Sequence, residues 1–163
     1  MATVIRDFDP KLDLIQTWDV AVPRSVLWKG WTEPALLKKW FCPKPWNVTE
    51  CEIDLTPGGV FRTVMQGPNG EGHTTDGCYL EIVPERKLVW TMLLLPGYRP
   101  APKPFLPVTS IVTFDDHGAG TRYTAHILHP DEETKVKHAE MGFPQGWSIA
   151  LDQLVSMAGE IQR

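Results

Sequence analysis

A bilayer-spanning helix needs about 20 consecutive apolar residues, and no run in this chain approaches that length. The opening stretch MATVIRDFDPKLD lacks the hydrophobic core of a secretory signal, so the expected location is cytoplasmic. Positive charge is not in excess either: 16 Lys and Arg stand against 20 Asp and Glu, a net charge of −4. The chain as a whole therefore lacks the basic footprint with which proteins grip nucleic acid or an anionic membrane surface. Cysteine is scarce. Cys42, Cys51 and Cys78 are odd in number and show no CxxC spacing, which argues against a disulfide framework or a zinc site. They read as small hydrophobes or free thiols. Internal repeats, a Gly/Ser linker, a Gly-x-Ser-x-Gly nucleophile elbow and a helical His-x-x-x-His pair are missing too. What remains is one domain over residues 1–163, long enough to bury a core without covalent staples.

Tryptophan and proline are abundant instead, with 7 Trp and 15 Pro, and five of the prolines crowd into PGYRPAPKPFLP, residues 96–107. In KLDLIQTWDVAV, Leu12, Leu14, Gln16, Trp18 and Val20 alternate with Asp13, Ile15, Thr17 and Asp19, a strand with one wetter face. The period then changes. Pro23 suits a helical first turn, with Val26, Leu27 and Trp31 as the apolar stripe. Thr32 is placed to cap a second short helix that starts near Pro34 and buries Leu36, Leu37, Trp40 and Phe41. Six strands are predicted next, over 48–55, 59–67, 72–83, 87–95, 108–116 and 120–128, separated by turns such as Pro57-Gly58-Gly59 and Pro68-Asn69-Gly70. Helix is expected from Asp131 to the end. Short turns make hairpins, so the order strand, two short helices, six strands and long helix predicts an α+β fold. It is built on one seven-stranded antiparallel sheet with helices on one face.

The segments PRSVLWKGWTEPALLKKWF, EIDLTPGGVFR, GCYLEIVPERKLVWT and GTRYTAHI, and the late GW followed by LDQL, occur here in a familiar order. From about Leu12 to the C-terminal helix the chain resembles the START-like, birch-pollen-allergen-like superfamily, also called SRPBCC. Within it the chain is similar to the branch named for the activator of the heat-shock-protein-90 ATPase. The resemblance implies a helix-grip fold, in which a curved sheet and a long C-terminal helix enclose a hydrophobic cavity. Members bind lipids, polyketides or other apolar molecules, and some are cyclases or hydratases. Eukaryotic chaperone activators carry this domain beside an N-terminal domain with no counterpart here, and the net charge adds no support for a chaperone partner.

On that basis the expected partner is a small hydrophobic molecule, held without cofactor or metal. The expected ligand-binding residues are Trp18, Trp40, Arg62, Tyr79, Trp90, Tyr98, His126, Trp147 and Leu151. The aromatics are expected to divide between core and cavity wall. Arg62 is included for the carboxylate-matching fork of its guanidinium, although strand arginines more often face solvent. The Pro57-Gly58-Gly59 segment reads as a structural turn pinned by Asp54, because a strand and not a helix follows it. His126 shares a strand face with Arg122 and Thr124, and a satisfied or exposed histidine is commoner there than a catalytic base. A cyclase- or hydratase-type enzyme using His126, Arg62, Asp76 or Tyr79 is one alternative, and a chaperone ATPase-activating or other protein-interaction module is another. Asp76 and Glu81, five apart on one strand, should face opposite sides. The proline-rich loop resists helix and sheet. It is either a rigid surface loop or a flap in which Tyr98, Arg99 or Phe105 meets a ligand or a homodimer partner.

At the C-terminus, Gly142, Pro144 and Gly146 are expected to break the chain, so that Trp147 opens the last helix. From there Ala150, Leu151, Leu154, Val155 and Ala158 continue the stripe. Small Ala150 and Ala158 would leave room beneath that helix.

Overall fold

The structure, a computed structural model, describes residues 8–161. Alternation does form the first strand, β1 (Asp13–Val20), which is followed by α1 (Arg24–Thr32) and the single turn α2 (Pro34–Leu37). Strands β2 (Asn47–Ile53), β3 (Val60–Gln66), β4 (Gly72–Val83) and β5 (Lys87–Thr91) come next, and then the two-residue β6 (Leu94–Leu95) and β7 (Arg99–Pro100). Strands β8 (Thr109–His117) and β9 (Gly120–Leu128) and helices α3 (Glu132–Glu140) and α4 (Phe143–Ile161) complete the chain. Seven strands pair antiparallel in the order β1-β9-β8-β5-β4-β3-β2. The first strand therefore lies against the last. This is the α+β arrangement that the element order predicts and the helix-grip fold that the family resemblance implies.

Four local expectations are corrected. Pro23 precedes α1 as its N-cap. Thr32 ends α1 instead of capping α2: its hydroxyl donates back to the Trp28 carbonyl at 2.8 Å, and Glu33 holds the cap position without a side-chain bond. The predicted strand 87–95 breaks after Thr91, where the chain leaves the large sheet for the small β6-β7 ribbon. The last helix starts at Phe143, four residues before Trp147. Only Gly142, at φ +90°, ends the preceding helix. A proline in a first helical turn gives up no intrahelical bond, so Pro144 fits inside α4.

Core packing follows the stripes. Buried Ala150, Leu151, Leu154, Met157 and Ala158 of α4 meet Leu27 and Trp31 of α1 and the inner face of the sheet. At Gly30 the two helices come so close that a Cβ would lie 2.5 Å from Leu154 Cδ1. Trp31 is the centre of this core, with its ring 4.9 Å from Trp40, 5.2 Å from Trp90 and 5.7 Å from Phe41.

Helix α3 is held differently, because it buries none of its residues. Asp131 caps it by accepting the Thr134 amide at 2.7 Å, and Glu132 and Glu133 sit where the helix dipole favours acids. Its tether is a histidine pair. The Leu12 carbonyl can only accept, so His129 Nδ1 donates to it at 2.6 Å. His129 Nε2 is then the acceptor for His138 Nδ1–H at 2.8 Å. Burial, and secondarily the neighbouring His129, push His138 down to about 4. Burial also lowers His129, partly offset by its bond to Leu12.

Two predictions follow from this architecture. Trp31→Ala should cost about 3–5 kcal/mol in urea unfolding, the range for removing a large buried aromatic. Both histidines are neutral when folded but titrate near 6.5 when unfolded, so the unfolded chain binds more protons as pH falls below that value. Their contribution to stability is complete above pH 6.5 and declines below it, the part due to His138 being lost on descent toward about 4. The melting temperature should decline across that window, and His138→Gln should flatten the decline. An unchanged slope would contradict the assignment.

A candidate ligand pocket beneath the proline-rich loop

The concave face of the sheet is unevenly filled. Behind α1 and α4 the aromatics close it: Phe61 stacks on Tyr79 at 5.3 Å with 8° between the rings, and Trp147 lies over Trp31 at 6.1 Å. Toward the far ends of β3 and β4 the inward residues become small or polar. The register pairs Thr63 with Thr75 and Met65 with His73. At Gly77 an added Cβ would sit 3.1 Å from Met92 Sδ and 3.3 Å from the Phe61 carbonyl, so glycine is what lets Met92 lie on the strand.

These residues leave a cavity of about 400 Å³. Thr63, Met65, His73 and Thr75 form its floor, and Phe41, Phe61 and Met92 its inner wall. Its roof is residues 101 and 103–106 of the proline-rich loop, with Met141 entering from the junction between α3 and α4.

The roof is anchored at three points. The Thr91 hydroxyl donates to the Val108 carbonyl at 3.2 Å and accepts from the Leu93 amide at 3.1 Å and the Thr109 hydroxyl at 2.9 Å, which staples the loop's base. The Gly97 amide donates to Gly58 at 2.8 Å. Gly58 is itself at φ +83°, with the Tyr98 ring where a Cβ would point. At the other end Phe105 rests on His73, with ring centroids 4.3 Å apart. Phe105 is nonetheless 69% exposed and Met141 59% exposed, so the rim of the mouth is apolar.

None of the nine residues expected from sequence lines this cavity. Trp40, Tyr79 and Trp90 form the layer behind it, in contact with Phe41 or Phe61. Trp18 donates its indole N–H to Ser148 at 3.3 Å, and Leu151 is buried under α4. Trp147 is half-buried between Trp31 and Phe143. Tyr98 covers the Gly58 turn.

The polar candidates have structural partners. Arg62 holds Asp76 at 3.2 Å and Glu50 at 3.3 Å across the outer face. His126 bonds Asp13 at 2.9 Å, also on the outer face, and Asp13 is only 4% exposed. Asp76 and Glu81 do not face opposite sides: a bulge between Tyr79 and Glu81 shifts the alternation, and Glu81 pairs with Lys87 on the outer face. Asp54 receives the Thr56 hydroxyl on its carboxylate, while its carbonyl takes the Thr56 amide. Burial pushes Cys42 and Cys51 up to about 11, so neither presents a thiolate at neutral pH. Among the described residues no three His, Cys, Asp or Glu groups converge to hold a metal. No helix there is long and apolar enough to cross a membrane.

A curved antiparallel sheet gripping a C-terminal helix, with a pocket left at one end of the concave face, defines a helix-grip protein of the START-like class. The chain belongs to the family described as activator of Hsp90 ATPase homolog 1-like protein, whose profile matches residues 21–159. A structurally characterised protein of Nitrosomonas europaea is 42% identical to it, covering 95% of this chain and 99% of its own, with a TM-score of 0.90. A Mycobacterium smegmatis protein is 25% identical over 90% of each chain, with a TM-score of 0.75. A Rhodobacter sphaeroides protein, 20% identical over 94% of this chain and 97% of its own, shares the fold at a TM-score of 0.80. No curated protein is significantly similar in sequence.

Tyr79 offers a test of whether this interior is built for chemistry. Its hydroxyl is buried without a hydrogen-bond partner among the described residues, and burial drives its pKa far upward. A buried unpaired hydroxyl costs about 1–3 kcal/mol, so Tyr79→Phe should leave thermal stability unchanged or raise it. Marked destabilisation would show that the hydroxyl has a bonding role.

Proposed function

We propose that the protein binds a small, mainly apolar molecule in the cavity beneath the proline-rich loop. The observation that carries this reading is the cavity itself. A volume of about 400 Å³ falls within the ~300–1,000 Å³ of small-molecule sites. Apolar walls with a few hydroxyls in the floor are the composition such sites share. Three methionines, Met65, Met92 and Met141, line it, and their unbranched side chains adapt to ligands of differing shape. The family resemblance, which implies a hydrophobic cavity between sheet and C-terminal helix, supports the reading only as far as an apolar ligand on the concave side; this pocket lies beyond that helix, under the proline-rich loop.

Burial would supply most of the affinity. Covering about 200 Å² of apolar ligand surface contributes roughly 5 kcal/mol at ~25 cal/mol per Å², before the costs of association. Of the four residues weighed for a cyclase-type reaction, Arg62, Asp76 and His126 are paired on the outer face, and Tyr79 is sealed behind Phe61.

Titration with an environment-sensitive apolar fluorophore tests the assignment, with medium-chain alcohols as displacers. Saturable one-to-one binding is expected. Thr75→Phe, which places a ring in the floor, should weaken it at least tenfold while leaving the far-UV spectrum native. Failure of any apolar probe to saturate, or full binding by the folded Thr75→Phe variant, would overturn the reading.

A further inference from the structure

We infer that the molecule held in this pocket is an amphipathic monocarboxylate, with its tail against Phe41, Phe61 and Met92 and its carboxylate at Lys103. The inference rests on the reading of the cavity as a ligand site and assigns the chemistry of the ligand's polar end.

Charge distribution carries the argument. The chain is acidic overall, at −4, yet residues 88–114 contain no Asp or Glu and carry only Arg99 and Lys103 as charged groups. That stretch supplies Met92 and the loop residues of the roof. The ionisable residues bordering the cavity are Lys103, His73 and Asp76, the last with its carboxylate turned to the outer face. Asp76 is held by Arg62 at 3.2 Å, and the same guanidinium also holds Glu50 at 3.3 Å. Lys103 forms no ion pair among the described residues. His73 is covered by the Phe105 ring. Lys103 is therefore the permanently charged group at this pocket that has no ion-pair partner among the described residues, and the inner wall of Phe41, Phe61 and Met92 is apolar.

A ligand that satisfies both regions has a hydrocarbon body and a single anionic end directed outward. Lys103 is exposed at the rim, so its attraction for a carboxylate is that of a surface ion pair, modest and screened by salt. A neutral alcohol of the same chain length buries the same surface without that term. Prolines at positions 102, 104 and 107 restrict the backbone around Lys103, so less freedom is lost when the ligand fixes it.

The experiment compares decanoate with 1-decanol, both below their aggregation limits, by displacement of the apolar fluorophore from the full chain. Decanoate is expected to bind about tenfold tighter than decanol at low ionic strength, the advantage shrinking at ~0.5 M salt. Lys103→Glu should lower the acid-to-alcohol affinity ratio at least tenfold, and Lys103→Arg should keep it. Equal binding of acid and alcohol, or a ratio unmoved by Lys103→Glu, overturns the carboxylate assignment and leaves the apolar pocket standing. If neither compound displaces the probe, or if Thr75→Phe binds both as the parent does, the pocket reading fails and this inference fails with it.

Discussion

Trp31 must place an indole N–H inside a dry core, and the Tyr123 hydroxyl, 3.1 Å away, receives it. Both residues are almost completely buried, so neither group has water to turn to, and leaving either unpaired would carry the full desolvation penalty. This one bond ties α1, near the start of the chain, to β9, near its end. With the indole fixed, Trp40, Phe41, Trp90 and Trp147 pack around its ring. Trp40 adds its own constraint by donating to the Gly30 carbonyl at 2.9 Å, at the closest approach of α1 and α4.

The pocket is a consequence of where that aromatic packing stops. Large rings fill the concave face from Trp31 outward to Phe41 and Phe61, which serve as core on one side and cavity wall on the other. Beyond them β3 and β4 present Thr63 and Thr75, side chains too small to span the distance to the helices. A void of that size cannot be closed by shifting a packed sheet, since protein interiors deform little. The proline-rich loop covers it instead, stapled at its base by Thr91 and resting on His73 through Phe105.

Polar residues that look chemical along the chain turn out to support the sheet from outside. Arg62 ties Asp76 on the neighbouring strand to Glu50 on the other side, and Arg122 ties down Asp19 at 2.9 Å. Exposed pairs of this kind contribute little each. The Asp13–His126 contact is more enclosed, and it closes the sheet where β1 joins β9. None of these side chains turns toward the cavity, because strand alternation that buries Phe61, Tyr123 and Ala125 sends Arg62, Arg122 and His126 to the other side.

Element order, the hairpin pairing of successive strands and the burial of Trp31 and Trp40 were legible from hydrophobic period and turn chemistry, which are local properties of the chain. The resemblance to the family was legible on the same motifs. The start of α4 was misplaced because Pro144 and Gly146 are helix breakers by propensity, whereas a first helical turn tolerates both. Face assignments around Glu81 failed at a bulge, which leaves no reliable mark in the residues themselves. The pocket residues Thr63, His73, Thr75, Met92 and Met141 are individually unremarkable and come from four separate stretches. Only the β3-β4 register and the course of the proline-rich loop bring them together. The sequence by itself thus determined the sheet, the gripping helix and the aromatic core, since each follows from a repeating local pattern. The tertiary structure alone decided where the aromatics end and the cavity begins, because a void depends on the distance between elements and not on any one of them.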